Sequence, residues 1–128
     1  MAYDGGSSVR RRRRGGGFSP STLFKAGEQG VIYDIQDISS MSQDTAGNTP
    51  AVVDQLVKRI ADKSGRGNHA THTNGLMLKL DASGKYYLDY DGSAGGFSTS
   101  AFNAGSDKVQ VFVGVQKRSD AAVGMIAE

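Results

Sequence analysis

Cysteine and tryptophan are absent from this 128-residue sequence, and it contains only two prolines. Without cysteine the chain has neither disulfides nor thiolate metal ligands. Leu, Ile, Val and Phe together supply 26 of the 128 residues, about a fifth, which is at the lower limit for a globular domain. No segment approaches the ~20 apolar residues of a membrane span, so we expect no membrane contact. The composition therefore predicts one small domain with a lean core.

The N-terminal segment 1–17 differs from the rest of the chain. It holds five glycines and the five consecutive arginines Arg10–Arg14, with few apolar residues. Such a segment cannot bury enough surface to offset the entropy of ordering it, so we predict a flexible arm. No apolar stretch follows the arginines, so the segment does not resemble a signal peptide, and we expect synthesis in the cytoplasm. Outside Arg10–Arg14 the chain has ten basic and thirteen acidic residues, and its charge is about −3.

Two kinds of partner suit this arm. Guanidinium groups attract phosphate and release its counterions, which favours nucleic acid. The arginine run, however, contains no aromatic residue that would stack on bases, and the rest of the chain is acidic. We therefore predict that Arg10–Arg14 dock into an acidic groove on a protein partner, with nucleic-acid binding as the alternative.

The first half of the domain mixes helical and extended signals. Ser19, Pro20 and Gly27 suit the cap, first position and end of one or two helical turns. The run Gly30–Asp34 is apolar and β-like, and 35–47 is typical of a loop. The apolar spacing in Ala51–Lys63 predicts an amphipathic helix. A buried strand at Val57–Asp62 is the alternative.

From residue 75 onward the apolar residues alternate with a period of two. Leu76–Leu80 and Tyr86–Tyr90 flank the turn Asp81–Gly84 and predict a hairpin with a four-residue connection. Valine occupies every second position of Val109–Val115, the clearest strand pattern, and Met125–Ala127 begins another β-like run. Because no βαβ rhythm is present, we predict a mainly β fold, an antiparallel sandwich or jelly roll.

Side chains suited to catalysis or metal binding are scattered. His69 and His72 lie three residues apart in a polar, β-branched segment with no third ligand nearby, so we expect no metal site. Aspartates beside Gly or Ser most often form turns. Neither a Gly-x-Ser-x-Gly elbow nor a P-loop is present. We therefore expect no enzyme and no cofactor. The alternative, a glycosidase carboxylate pair or a set of calcium ligands, would draw on six aspartates: Asp34, Asp37, Asp44, Asp62, Asp89 and Asp91.

Three segments taken in order resemble a known family. Phe18–Phe24 runs into Gly27–Asp34, the turn Asp-x-Ser-Gly-x-Gly-Asn-His-Ala occupies 62–70, and Tyr-x-Leu-x-Tyr-Asp-Gly occupies 86–92. Together they resemble bacteriophage virion proteins, tail-fibre-like or appendage proteins, that carry a concanavalin A-like (laminin G-like) lectin/glucanase domain. The resemblance covers Phe18–Glu128.

The family resemblance implies a two-sheet jelly roll over 18–128. It places Ile60–Asp62 in a strand, against the helix prediction, and implies a longer domain whose last strands are missing here. Relatives carry a Trp near Ile32 and an acidic pair after Gly92, and this sequence has neither. A calcium or glycan site that depends on those acids is therefore not implied.

The resemblance also implies a function in the virion. We expect a structural protein in which the arm and first helix bind other virion proteins and the β domain forms the base of a fibre, spike or decoration, as a homo-oligomer. The expected docking residues are Arg10, Arg11, Arg12, Arg13, Arg14, Phe18, Leu23 and Phe24. The alternative is a lectin-like module for host surface glycans, with sugars stacked on Tyr86, Tyr87, Tyr90 and Phe97. A second alternative is nucleic-acid binding through the arm.

Overall fold

The computed structural model describes residues 17, 19–92, 95–103, 105 and 111–116. Their strands form one antiparallel sheet in chain order: β1 (Met41–Ser42), β2 (Leu56–Ile60), β3 (Ala70–Leu80) and β4 (Tyr86–Asp89). Short 3-10 helices at Pro20–Phe24 and Ile38–Ser40 precede β1. The predicted mainly β, antiparallel fold is confirmed at this level. The arm 1–16 lies outside the described residues.

The segment 51–63 contains a strand, so the predicted amphipathic helix is wrong. Asp54 has φ +64°, and its N–H donates to the Leu78 carbonyl at 2.8 Å. A helix cannot pass through that conformation, because left-handed backbone interrupts the ladder of helical hydrogen bonds. Pairing of β2 with β3 then buries Val57 completely. The alternative strand is confirmed over Leu56–Ile60, since tertiary pairing outweighs a weak local preference.

The hairpin of β3 and β4 is confirmed, with Leu78 opposite Leu88. Its connection spans residues 81–85, one more than predicted. The Asp81 carboxylate accepts the N–H groups of Ser83 and Lys85, both at 2.8 Å. This side chain closes the turn in the way that an aspartate at the first turn position commonly does.

A bulge interrupts the pairing of β2 with β3. Val57 pairs with Leu76 while Arg59 pairs with Thr71, so β3 carries extra residues opposite Lys58. Gly75, at φ +75°, comes so close to β2 that an added Cβ would lie 2.8 Å from the Val57 carbonyl oxygen. Only glycine fits there, because both the backbone angle and the space exclude a side chain.

The core covers one face of this sheet. Partly buried side chains from the loops and β4, including Tyr33, Ile38 and Leu88, pack against it. Among the described residues six hydrophobic side chains are buried: Met41, Ala51, Val57, Ile60, Ala70 and Leu78. The lean core expected from the composition is thus present in the part of the chain that the structure describes.

Two segments expected to be extended do not form strands. Gly30–Asp34 is irregular and forms no ladder; side-chain hydrogen bonds and one main-chain bond, from the Lys63 N–H to the Ile32 carbonyl, hold it. The described part of the predicted strand Val109–Val115, residues 111–116, forms no strand, and its valines are exposed. Alternation creates a strand preference, but a strand forms only with a partner. The β-like run Met125–Ala127 lies outside the described residues.

Candidate functional site

The connection from β2 to β3, residues 62–69, is the most densely hydrogen-bonded part of the described structure, and we call it the Asp62 loop. It contains most of the Asp-x-Ser-Gly-x-Gly-Asn-His-Ala motif. Asp62 is only 9% exposed. It accepts main-chain N–H groups from Ile32 at 2.9 Å, Ser64 at 2.8 Å and Asn68 at 3.1 Å, and the Ser64 hydroxyl at 2.7 Å.

These hydrogen bonds decide the chemistry of Asp62. Burial raises its pKa, but the hydrogen bonds from Ile32, Ser64 and Asn68 together outweigh burial, and the net pKa lies below the ordinary value. The side chain is therefore an ionised acceptor. Because a carboxylate offers about four lone-pair sites, four donors leave it little capacity for a substrate or metal ion. Asp62 acts as a structural ligand for the backbone.

The Asp62 loop also clamps the segment before β1. The Asn68 amide donates to the Gly30 carbonyl at 3.1 Å, and the Tyr33 hydroxyl donates to the Asn68 carbonyl. Burial raises the pKa of Tyr33, which keeps this hydroxyl protonated as a donor. The Arg66 guanidinium donates to the Phe24 carbonyl at 2.6 Å. The loop thereby joins the first 3-10 helix and the run Gly30–Asp34 to the sheet.

A cleft of about 520 Å³ lies between the first 3-10 helix and the run Gly30–Asp34. On its rim the Lys63 ammonium contacts the Asp34 carboxylate at 3.2 Å and the Asp37 carboxylate at 2.9 Å. The hydrogen bonds that Lys63 donates to Asp37 and then to Asp34 raise the pKa of Lys63. The lysine is therefore paired with its two carboxylates. The rest of the cleft lining combines the apolar side chains of Pro20 and Ile32 and the Tyr33 ring with Ser19 and Ser21.

Asp44 and the two histidines also contact the main chain. The Asp44 carboxylate accepts three N–H groups within 44–49, which hold its pKa far below the usual range, with that of Asn48 contributing most. The Nδ1 atom of His69 accepts the Asp62 N–H at 3.0 Å, and Nδ1 of the buried His72 accepts the Asn74 N–H at 3.2 Å. The described residues contain no group of three or more His, Cys, Asp or Glu side chains arranged for a metal ion.

Of the eight predicted docking residues, the structure describes Leu23 and Phe24. Arg10–Arg14 and Phe18 lie outside the described residues. Leu23 is 51% exposed. Phe24 is half-buried, and its ring is so close to Gly30 that an added Cβ would lie 2.4 Å from it. Of the described candidates, Leu23 is available to a partner, whereas Phe24 is largely used for internal packing.

The four proposed sugar-stacking residues do not share one surface. Tyr86 and Phe97 pack against the core, and the Phe97 ring meets His72 edge-on with centroids 5.6 Å apart. Tyr87 lies on the opposite face of the sheet because neighbouring strand residues alternate. It is exposed, as is Tyr90 beyond the end of β4.

The outer edge of β4 carries a feature that sequence reasoning missed. The Gln36 side-chain amide donates to the Tyr86 carbonyl at 2.7 Å and accepts the Tyr86 N–H at 3.1 Å. Gln36 thus pairs with this residue as a neighbouring strand would. A polar residue in a loop gives no sequence signal for such a contact, because its partner is 50 positions away.

Large exposed apolar side chains are numerous in the described part of the chain. They number eleven: Leu23, Val52, Leu56, Leu80, Tyr87, Tyr90, Phe102, Val111, Phe112, Val113 and Val115. No helix among the described residues is long and apolar enough to cross a membrane. These side chains are the main candidates for contact with other proteins.

No family model, curated protein or solved structure matches the chain. The likeness to phage virion proteins therefore rests on the sequence segments quoted above.

Proposed function

We propose that the chain is a structural protein of a bacteriophage particle, with an N-terminal anchor and a jelly-roll base for a fibre, spike or decoration. One observation carries the proposal: six hydrophobic side chains are buried and eleven large ones are exposed among the described residues. Four of the eleven lie in the single segment 111–115, and apolar side chains that are exposed together mark surfaces that other proteins cover. An assembly protein fits this balance better than a free-standing enzyme.

Stability supports the same proposal. A small domain buries a small fraction of its surface and is only marginally stable alone. Contacts with neighbouring subunits add stability by mass action, because the partner binds the folded chain. A subunit of a large particle therefore tolerates a lean core.

The anchor combines the arm with the first 3-10 helix. Leu23 is exposed nine residues after Arg14, close enough in sequence to reach the surface that the arginines bind. We expect Arg10–Arg14 to form bidentate pairs with carboxylates of the partner while Leu23 enters an apolar pocket. The hydrogen bond from the Arg66 guanidinium to the Phe24 carbonyl holds this helix, and with it Leu23, at a defined place on the domain.

Particles purified from an infected host test the proposal. We expect the full chain to be recovered with them, and the variant lacking Met1–Arg14 to be lost although its sheet remains folded by circular dichroism. Replacing all five arginines with lysine keeps the charge and serves as the matched control. We expect it to reduce recovery several-fold, because lysine cannot form the bidentate fork. Normal recovery of the deletion variant contradicts the anchor.

The nucleic-acid alternative predicts a different pattern. Five phosphate contacts would give duplex DNA binding whose affinity falls with salt at a log–log slope of roughly −4 to −5. Lysine would then replace arginine with little loss. A slope of that size together with normal recovery of the lysine variant would replace protein docking with nucleic-acid binding.

A further inference from the structure

The outer edge of β4 is open beyond the contact with Gln36. In an antiparallel ladder the main-chain groups of alternate residues point to opposite sides. The Asp81 N–H donates to the Lys85 carbonyl at 2.9 Å, so the main-chain groups of Lys85 and, two residues on, Tyr87 face β3. The main-chain groups of Tyr86 and Leu88 therefore face the outer edge. The Gln36 side chain bonds both the N–H and the carbonyl of Tyr86 on that edge. No described residue is paired with Leu88 on that side.

The segment Val111–Val115 has the character of a strand without a ladder. Val111, Val113 and Val115 alternate with Phe112 and Gly114. Their side chains are 62%, 51% and 63% exposed, and that of Phe112 is 85% exposed. Valine and phenylalanine are favoured in strands, because they fit a pleated, half-buried surface. Strand addition to an exposed sheet edge is a common way to cover such a segment.

We propose that Val111–Val115 of one copy adds as a strand to β4 of a second copy, and that the second copy returns the same contact. Each copy then supplies one strand and one edge, which gives a two-fold, strand-exchanged dimer. In its own chain the segment lies outside the sheet, and Ser98, which follows β4, pairs with Thr71 of β3 in the same antiparallel direction as β4. The outer edge of β4 in the second copy is therefore the place where the segment can pair.

The side chains of the two segments are complementary on both faces. On β4, Tyr86 and Leu88 pack towards the core, and Tyr87 lies on the other face. A register that places the valines beside Tyr86 and Leu88 also places Phe112 beside Tyr87, and the added strand then displaces the Gln36 amide from the Tyr86 main chain. Cross-strand contacts of this kind, aliphatic on one face and aromatic on the other, contribute to sheet stability.

The charges that flank the two segments are also complementary. Asp81 precedes β4, and Asp89 and Asp91 lie at and beyond its end. Lys108 precedes the valine segment in the sequence, and Lys117 and Arg118 follow it. Opposite charges on neighbouring strands favour pairing and select the partner.

Disulfide trapping tests this exchange, because the chain has no cysteine of its own. One sample carries Leu88→Cys, and the other carries Val111→Cys, Val113→Cys or Val115→Cys. Mixed and oxidised, they should give a cross-linked heterodimer with the valine variant that lies opposite Leu88. Phe112→Cys is the matched control, since its side chain faces the other way and should cross-link several-fold less.

Each outcome decides the question. If none of the three valine variants cross-links to Leu88→Cys in the mixture, the proposal is wrong. It is also wrong if a variant that carries Leu88→Cys and the valine-to-cysteine change in one chain forms the disulfide only within that chain, which would show that the segment completes its own sheet. A second measurement avoids the Leu88 change: sedimentation should give twice 13.5 kDa for the native chain and 13.5 kDa for Phe112→Asp. A native chain that stays at 13.5 kDa at high concentration overturns the exchange.

The purified protein suffices for these measurements. Recovery with particles tests the proposed function separately, so a dimer without particle association and a particle-bound monomer are distinguishable results.

Discussion

Two segments of this chain share a pattern and differ in their structural result. Leu76–Leu80 and Val111–Val115 both alternate apolar residues with a period of two. The first lies within β3, where Leu78 is fully buried between β2 and β4. The second forms no strand, and its valines are more than half exposed. Alternation therefore predicts a preference for extended backbone, and burial depends on what lies beside the segment.

The neighbours of β3 are specified locally. Asp81 closes the turn that pairs β4 with β3. The Asp62 loop connects β2 to the other end of β3, so that these two strands lie side by side. Asn103 makes a similar local bond before the valine segment, accepting the Gly105 N–H at 2.8 Å, yet residues 111–116 form no strand. The comparison teaches that an alternating segment is built into the sheet of a lean domain only where a neighbouring strand lies beside it.

Shortening one side chain in each segment should give the largest difference. Leu78→Ala removes a fully buried side chain and leaves a cavity, so we expect the free energy of unfolding to fall by about 2–5 kcal/mol. Val113→Ala removes an exposed side chain and should change it by less than about 0.5 kcal/mol in the monomer. Urea denaturation at low protein concentration measures both. Equal losses would show that Val113 is buried within its own chain.

The sequence predicted those parts of the fold that depend on nearby residues. The hairpin is confirmed because Asp81–Gly84 carries its own turn chemistry, and the first helical turns are confirmed as a 3-10 helix at Pro20–Phe24. Ala51–Lys63 was predicted wrongly, since pairing to β3 and the left-handed Asp54 are not visible in apolar spacing. The motif at 62–70 was recognised, but its role as a backbone ligand depends on residues 30 positions away. The contact of Gln36 with Tyr86 of β4 gave no sequence signal either, because the two residues are 50 positions apart.

A substitution in the Asp62 loop, which precedes β3, should lower the free energy of unfolding. Asp62→Asn keeps the size of the side chain but turns a donor amide towards the Asn68 N–H. A buried N–H left without an acceptor costs about 1–3 kcal/mol, and we expect a loss of that size in chemical denaturation. Asp54→Asn is the matched control. Asp54 is exposed, its ion pair with Lys79 is a surface contact, and asparagine accepts its positive φ, so we expect less than about 0.5 kcal/mol.

Acid should remove part of the same stabilisation. The folded-state pKa of Asp62 lies below its ordinary value of 3.8. A lowered folded pKa means that the carboxylate stabilises the fold above the unfolded value, and that this contribution disappears as the pH falls through the folded value. The melting temperature of the native chain should therefore fall towards that of Asp62→Asn as the pH drops below 3.8. A gap between the two proteins that stays constant from neutral pH to pH 2 would contradict an ionised Asp62.

The smallest expected effect concerns the turn that gives β3 its partner. Gly84 has φ +77°, and an added Cβ would meet no atom within 4 Å, so only the backbone angle opposes a side chain there. Gly84→Ala should cost about 1 kcal/mol, because alanine rarely adopts left-handed backbone. Gly84→Asn should cost less, since asparagine tolerates this conformation. If thermal denaturation shows equal losses for the two variants, something other than the backbone angle is responsible. Because the turn determines that β4 pairs with β3, the alanine variant should also reduce cross-linking of the valine segment to Leu88→Cys. The asparagine variant should preserve it, which connects the local turn to the edge that a second copy uses.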